Sequence, residues 1–195
     1  MQRLAASFVL GYHGCDATVA EKLLAGDDFK PSKNDYDWLG HGIYFWEANP
    51  RRALEFAQEV KTQTRGPDIK KPEAVGAVID LGLCLDLTTS AGVQQIRDTY
   101  REYVELAKEA GYSLPQNSDD WLRRNLDCAV INFLHRVRND KELEPIDTVR
   151  TVFTEGQPIF EGSGFLSKSH MQICVCNPDC IKGVFRIRRA LLQLS

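Results

Sequence analysis

The sequence predicts an α+β fold, and three observations support this class. Strand-like runs occur early, an apolar one at 8–13 and a β-branched and aromatic one at 43–46. Segments 17–25 and 50–63 have capping residues and apolar residues at helical spacing. The last third of the chain returns to strand-like alternation. Strands and helices in this arrangement are typical of an α+β protein.

Length and composition place the chain among ordinary globular proteins. Its 195 residues are expected to form a single domain over 1–195, with a helical insertion at about 89–140. The formal charge of −3 does not indicate that the protein as a whole binds nucleic acid or a membrane. No apolar run approaches the ~20 residues of a membrane span, and the start lacks a signal-peptide pattern. The six cysteines are therefore expected to be reduced thiols in the cytoplasm.

The first strand-like run leads into a short helix and then a long loop. Either Asp16 or Thr18 is suited to cap the helix. The polar segment 27–39 contains proline, serine and asparagine and is predicted to be a loop. Loops of this length in compact domains are often functional. Tyr36 and Trp38 are the aromatic residues that this loop offers for stacking.

A glycine turn precedes the second strand. Gly40 and Gly42 permit a tight turn or a close approach of the backbone to a ligand. The strand then runs into the helix over 50–63, which Asn49 caps and Pro50 begins. Taken alone, this pattern favours the plainer interpretation, a core strand that leads into a core helix.

The middle of the chain is predicted to be one strand followed by two helices. Residues 74–87 alternate around two glycines and indicate a long or bulged strand. A first helix ends at Gly111, and a second begins near Asn117 or Ser118. Their apolar faces are expected to be buried against the sheet. These faces carry Val93, Ile96, Tyr100, Tyr103, Leu106, Ala107, Leu122, Leu126, Val130, Phe133, Leu134 and Val137.

The last third is predicted to contain three strands and a glycine-rich passage. The strands cover 148–154, 169–176 and 181–188, and the passage covers 159–165. Alternation along the middle strand sets one group of polar and sulfur-bearing side chains on a common face. That group is His170, Gln172, Cys174 and Cys176.

Two motifs carry a resemblance to a known family. Gly11-Tyr12-His13-Gly14 ends the first strand, and Gly40-His41-Gly42-Ile43-Tyr44-Phe45 opens the second. Together they resemble the ADP-ribosyltransferase fold of the poly(ADP-ribose) polymerase and diphtheria-toxin branch. The likeness covers about 7–62, 74–88 and 149–187. It implies a split, mostly antiparallel sheet with peripheral helices, which binds NAD in its central cleft.

The same resemblance implies a donor site around the nicotinamide end of NAD. His13 would donate a hydrogen bond to a ribose hydroxyl, and the backbone of Gly14 would hold the carboxamide. Tyr44 would stack on the nicotinamide, and Phe56 would close the other side. The position of Phe56 depends on one inserted residue relative to the family. The implied cofactor-binding residues are His13, Gly14, Tyr36, Gly42, Tyr44 and Phe56.

The third position of the family's His-Tyr-Glu triad departs from the pattern. The polymerase-type enzymes carry glutamate there, and the matching residue in this chain is Gln172. Its amide can bind a ribose 2′-hydroxyl but cannot act as a base or balance positive charge. Glu155 and Glu161 are candidates for the missing carboxylate, and each also fits a solvated surface residue. The expected catalytic residues are His13, Tyr44 and Gln172, with His170 and Glu161 on the acceptor side.

The leading expectation is a mono-ADP-ribosyltransferase that moves ADP-ribose from NAD to a macromolecular acceptor, protein or nucleic acid, and releases nicotinamide. Family analogy extends this to an intracellular toxin or defence effector with an antitoxin partner. No metal is expected, because Cys174-x-Cys176-x3-Cys180 lacks the paired spacing of a zinc site. The alternatives are a degenerate module that binds NAD or ADP-ribose without chemistry, and an RNA 2′-phosphotransferase-like enzyme.

Overall fold

The computed structural model describes residues 8–62 and 68–192. Within these ranges a seven-stranded sheet is flanked by four α-helices, which confirms the predicted α+β class. The strands are β1 Phe8–Asp16, β2 Ile43–Glu47, β3 Pro72–Asp80, β4 Cys84–Asp86, β5 Thr148–Phe153, β6 His170–Val175 and β7 Ile181–Arg186. The helices are α1 Ala17–Leu24, α2 Pro50–Lys61, α3 Ser90–Ala110 and α4 Asn125–Asp140. Short 3₁₀ turns lie at Pro178–Cys180 and Arg189–Leu191.

The sheet is mostly antiparallel, as expected. Its strand order is β4-β5-β6-β2-β1-β3-β7. Of the neighbouring strands, β4 and β5 run parallel, and the other pairs run antiparallel. Parallel neighbours need a crossover connection, and α3 and α4 supply it between β4 and β5.

The single strand expected over 74–87 is wrong, because the chain breaks there into β3 and β4. Five strand spacings separate β3 from β4 in the order, which is about 24 Å in a flat sheet. The four residue steps from Asp80 to Cys84 reach at most about 15 Å. The sheet therefore curves back on itself. Gly82 makes this corner with a φ of 53°.

The curved sheet has two faces, which we call the Phe45 face and the Trp46 face after neighbouring residues of β2. On the Phe45 face, Ile79 of β3 and Ile173 of β6 belong to one core cluster around Phe45. Helix α1 packs at one side of this face. Helix α2 covers the Trp46 face, where Ala53 packs against Trp46 and neighbouring residues of β1 and β3.

β1 and β2 meet over a short length at the centre of the sheet. They pair at Gly11 with Glu47 and at Tyr12 with Trp46. By contrast, β1 pairs with β3 along all nine of its residues. The ladder between β1 and β2 does not continue past Tyr12, so the backbone of the following residues lies at an edge that faces β2 without pairing to it.

The helices follow the predicted caps, with one difference. Asp16 accepts from the backbone of Thr18 at the start of α1, and Asn49 accepts from the backbone of Arg52 in α2. Helix α4 begins at Asn125, later than expected, because residues 118–123 close a turn of their own. The N-cap position is Arg124, which makes no side-chain capping bond; Oδ1 of Asn117 instead accepts from the amide of Leu126 at 2.8 Å. No helix in the part of the chain that the structure describes is long and apolar enough to cross a membrane.

Candidate functional site

His13 lies where β1 and β2 separate. Its Nδ1 lies 2.9 Å from the carbonyl oxygen of Tyr44. Because a carbonyl only accepts, Nδ1 carries the hydrogen. Burial lowers the pKa of His13, which keeps the ring neutral and makes Nε2 an acceptor. A substrate hydroxyl would therefore donate to His13, the reverse of the direction expected from the sequence.

The hydroxyl of Tyr44 is held by the glycine turn. It donates to the carbonyl of Gly40 at 2.6 Å and accepts from the amide of Leu39 at 2.8 Å. Burial raises the pKa of this hydroxyl far above its usual value. The Tyr44 hydroxyl therefore connects the glycine turn to β2 through two hydrogen bonds. Its half-buried ring packs with the cluster around Leu39 and Cys174.

The structure brings two of the three expected catalytic residues to one face. Tyr44 pairs with Cys174 and Trp46 pairs with Gln172, so Tyr44 and Gln172 both lie on the Trp46 face. His13 lies on the Phe45 face, with its ring centroid 5.7 Å from that of Phe45. The link between His13 and Tyr44 runs through the Tyr44 carbonyl rather than through the two side chains.

Gln172 shares the Trp46 face with a connected group of polar side chains, which it joins by pairing with Trp46. We call Trp46, Arg52, Glu155, His170 and Gln172 the Gln172 cluster. The Glu155 carboxylate lies 3.6 Å from Nδ1 of His170 and 4.0 Å from Arg52. The rings of His170 and Trp46 lie 6.2 Å apart between centroids. Gln172 is buried, and among the described residues its amide has no hydrogen-bond partner.

Three buried polar atoms of this cluster have no hydrogen-bond partner among residues 8–62 and 68–192. They are Nε1 of Trp46, Nε of Arg52 and Nε2 of His170. The first two are N–H donors. His170 donates from Nδ1 to the carbonyl of Lys168 at 2.7 Å, and burial lowers its pKa, so its Nε2 is an acceptor. Unpartnered buried polar groups are rare because each is costly. A hydroxyl-bearing ligand, which both donates and accepts, matches this set.

Glu155 lies at the edge of the cluster and is half-buried. Its burial raises the pKa of the carboxyl, although Arg52, Lys168 and Arg124 oppose the shift. The Arg52 guanidinium faces another carboxylate as well, because both of its terminal nitrogens lie 3.4 Å from oxygens of Glu59. The Glu155 carboxylate is therefore partly removed from water and lies near the Arg52 guanidinium without a hydrogen bond to it.

Close packing surrounds both glycines that the resemblance assigns to cofactor binding. A side chain at Gly14 would collide with the carbonyl of Ala53 in α2. Gly42 exchanges both backbone hydrogen bonds with Ser32, at 2.7 and 3.1 Å, and a side chain there would collide with Cys174. The structure thus gives Gly42 a partner for each of its backbone groups.

Three other expected site residues lie further out. The Phe56 ring packs on Trp46 at a tilt of 42°, with centroids 4.7 Å apart, at the border of the Gln172 cluster. The Tyr36 ring lies under the guanidinium of Arg123 at 4.9 Å, in the long loop. Glu161 is exposed in the loop between β5 and β6, and it forms no ion pair with any described residue.

A cavity of about 420 Å³ adjoins the cluster between α3, α4 and β5. Thr151 lines it and pairs directly with Gln172 in the ladder. Arg124 lies at its rim, 4.4 Å from the ring centroid of Trp38 and 4.8 Å from that of Phe153. These cation–π contacts hold the Arg124 guanidinium against the two rings.

The sequence analysis missed Arg52 and Trp46 as site residues. One signal was available for Arg52, because it lies four residues before Phe56 and seven before Glu59, at helical spacing. Trp46 was part of the strand motif but carried no expected role. Its partnership with Gln172 depends on the register of β2 and β6, which local patterns do not specify.

The cysteines do not assemble into a metal site in the described ranges. Cys174 belongs to the core cluster below α4, whereas Cys180 belongs to the cluster on the Phe45 face. The Cys176 sulfur lies 3.7 Å from Nε2 of His135. Among residues 8–62 and 68–192 no group of three or more His, Cys, Asp and Glu side chains is placed to hold a metal.

Comparison with known proteins gives one short similarity. The chain is 50% identical over 36 residues to an uncharacterized protein of Methanocaldococcus jannaschii. That match covers 18% of this chain and 17% of the relative. No protein-family model matches the chain, and no solved structure matches it.

Proposed function

We propose that this protein is a mono-ADP-ribosyltransferase, which moves ADP-ribose from NAD to a macromolecular acceptor and releases nicotinamide. The observation that carries the proposal is the Gln172 cluster, with three unpartnered buried polar atoms on the face that also carries Tyr44. A ribose offers hydroxyls that both donate and accept, which is the combination that these atoms need.

The centre of the sheet supports the same reaction. Beyond Tyr12, β1 no longer pairs with β2. The backbone of Gly14 on that side is therefore available to the carboxamide of the nicotinamide. Nε2 of His13 has no hydrogen-bond partner among the described residues and is an acceptor for a hydroxyl. A donor that spans this gap and the Gln172 cluster would be held at both of its ends.

The proposal is tested with purified protein and NAD labelled on the adenylate. After incubation with a cell lysate, label in macromolecules and free nicotinamide are measured, and digestion with protease or nuclease identifies the acceptor class. We expect equal amounts of transferred label and released nicotinamide. Binding of NAD without release of nicotinamide would favour the degenerate binding module. Absence of NAD binding would refute the proposal.

A further inference from the structure

We propose that Glu155, rather than Gln172, supplies the catalytic carboxylate of this site. It would stabilise the positive charge that develops on the donor ribose and take the proton of the acceptor. This inference rests on the proposed function, because it assigns a role within the same reaction.

The fold delivers Glu155 to the site through strand pairing. It follows β5 by two residues, and the last residue of β5, Phe153, pairs with His170 at the start of β6. Glu155 therefore lies two positions beyond the partner of His170 and four positions beyond Thr151, the partner of Gln172. Its side chain is 20% exposed, so a substrate can reach the carboxylate.

The contacts of Glu155 differ from those of a structural ion pair. The separations of 3.6 Å from His170 and 4.0 Å from Arg52 are longer than hydrogen bonds. Among the described residues no donor forms a hydrogen bond with its carboxylate oxygens. A carboxylate that loses water without gaining hydrogen bonds destabilises the fold. Such groups concentrate at functional sites, where their pKa values are shifted toward the needs of catalysis.

Neighbouring groups hold Glu155 in place without neutralising it. The backbone carbonyl of Glu155 accepts from the amide of Lys168 at 2.9 Å, which closes the base of the loop. Lys168 also pairs with Glu59 at 2.8 Å, and Glu59 in turn engages Arg52. Arg52 and His170 are thus positioning residues, and the Glu155 carboxylate remains the group with unused acceptor capacity.

The reaction step balances with this single carboxylate. The bond between ribose C1′ and the nicotinamide nitrogen breaks, and its electron pair leaves with nicotinamide. A hydroxyl or amine of the acceptor forms the new bond to C1′ on the opposite side. Its proton passes to the Glu155 carboxylate and then to solvent. Gln172 orients the ribose 2′-hydroxyl through its amide and takes no proton.

The test compares Glu155→Gln with Gln172→Ala, the double variant Glu155→Gln/Gln172→Glu and the control Glu105→Gln, an exposed residue of α3. The readouts are the Kd for NAD, the acceptor-dependent release of nicotinamide and the thermal midpoint. Loss of a general base typically lowers a rate by about 100-fold or more. We therefore expect that loss for Glu155→Gln, with nearly unchanged NAD affinity. The double variant should recover part of the rate, and the control should behave as wild type.

Stability separates this role from a structural one. Because the Glu155 charge lacks hydrogen bonds, Glu155→Gln should leave the thermal midpoint unchanged or raise it. A lowered midpoint together with normal nicotinamide release would overturn the inference and leave the proposed function standing. If the wild-type protein neither binds NAD nor releases nicotinamide, the proposed function itself is refuted, and the role of Glu155 with it. Glu155→Asp, which keeps the charge but shortens its reach, should give an intermediate rate.

Discussion

At the scale of residues, the Tyr44 hydroxyl decides the shape of the glycine turn. It is the partner of the Leu39 amide and of the Gly40 carbonyl, and both contacts are short. Tyr44, for which nicotinamide stacking is proposed, therefore has an observed structural role through its hydroxyl. A substitution that keeps its ring but removes its hydroxyl separates the two tasks.

Tyr44→Phe should destabilise the protein by about 1–3 kcal/mol, because the amide of Leu39 and the carbonyl of Gly40 lose a buried partner. Urea unfolding measures this change. Tyr100→Phe, at a tyrosine that is 40% exposed, is the matched control and should be near neutral. NAD cleavage by the folded fraction of Tyr44→Phe should persist, since the ring remains. Equal stability of the two variants would contradict this account of the turn.

Stability should also depend on pH through His13 and His170. Burial lowers the pKa of both in the folded protein, whereas unfolded histidine titrates near about pH 6.5. Unfolding therefore takes up protons below that value. The free energy of unfolding should fall as the pH drops from about 7 toward 5. Urea titrations across this window should show a smaller slope for His13→Gln, and an unchanged slope would refute the assignment.

At the scale of elements, α3 and α4 differ in how they use their apolar faces. Leu134 and four other residues of α4 are buried. On α3, Val93, Tyr100 and Leu106 stay at least 40% exposed, and the buried residues are Gly92, Thr99 and Ala107. The expectation that both apolar faces are buried holds for the centre of α4. It is wrong for much of α3 and for Leu122, which precedes α4 and is 59% exposed. The reason is that α4 lies against the sheet while α3 packs mainly on α4.

Leu134→Ala should therefore cost about 2–5 kcal/mol, the usual range for emptying a buried leucine site. Its side chain is 4% exposed and packs in the cluster with Val149 and Cys174. Val93→Ala on α3 should change stability by less than about 0.5 kcal/mol, as surface substitutions do. Chemical denaturation compares them. Similar losses for the two variants would show that α3 is buried to the same degree.

At the scale of the whole molecule, the corner at Gly82 lets one curved sheet enclose the core on the Phe45 face. Asp147 holds this corner from the segment that leads into the neighbouring strand β5, since one carboxylate oxygen accepts from the Leu83 amide at 2.8 Å. The other oxygen accepts from Asn177 at 2.8 Å. Asp147 thereby joins the segments that precede β4, β5 and the 3₁₀ turn before β7.

Gly82→Ala should destabilise the whole fold, because the position has a φ of 53° and the new methyl group would collide with Asp147. We expect a loss of at least about 1 kcal/mol from the left-handed backbone alone. Gly183→Ala in β7 is the matched control, because open space surrounds that position. Thermal unfolding of the two variants measures the difference. If Gly82→Ala were as stable as the control, the backbone at this corner would accommodate a side chain without strain, which would contradict this account.

The sequence by itself determined the local structure of this protein. Caps at Asp16 and Asn49, the strand at β2 and the common face of His170 and Gln172 were all predictable. The physical reason is that capping and alternation act between residues only a few positions apart. The same local rules do not determine which distant strand becomes a neighbour.

Tertiary structure decided what depends on register and curvature. It set His13 on the face opposite Tyr44 and broke the expected strand at Gly82. It also brought Glu155 and Arg52 within 4.0 Å of each other from separate elements, on the face that carries Gln172. A shift of one residue in strand pairing moves every side chain to the other face, and only the packing of the whole core selects between such registers. The candidate site therefore became visible only when β2, α2 and β6 were in place together.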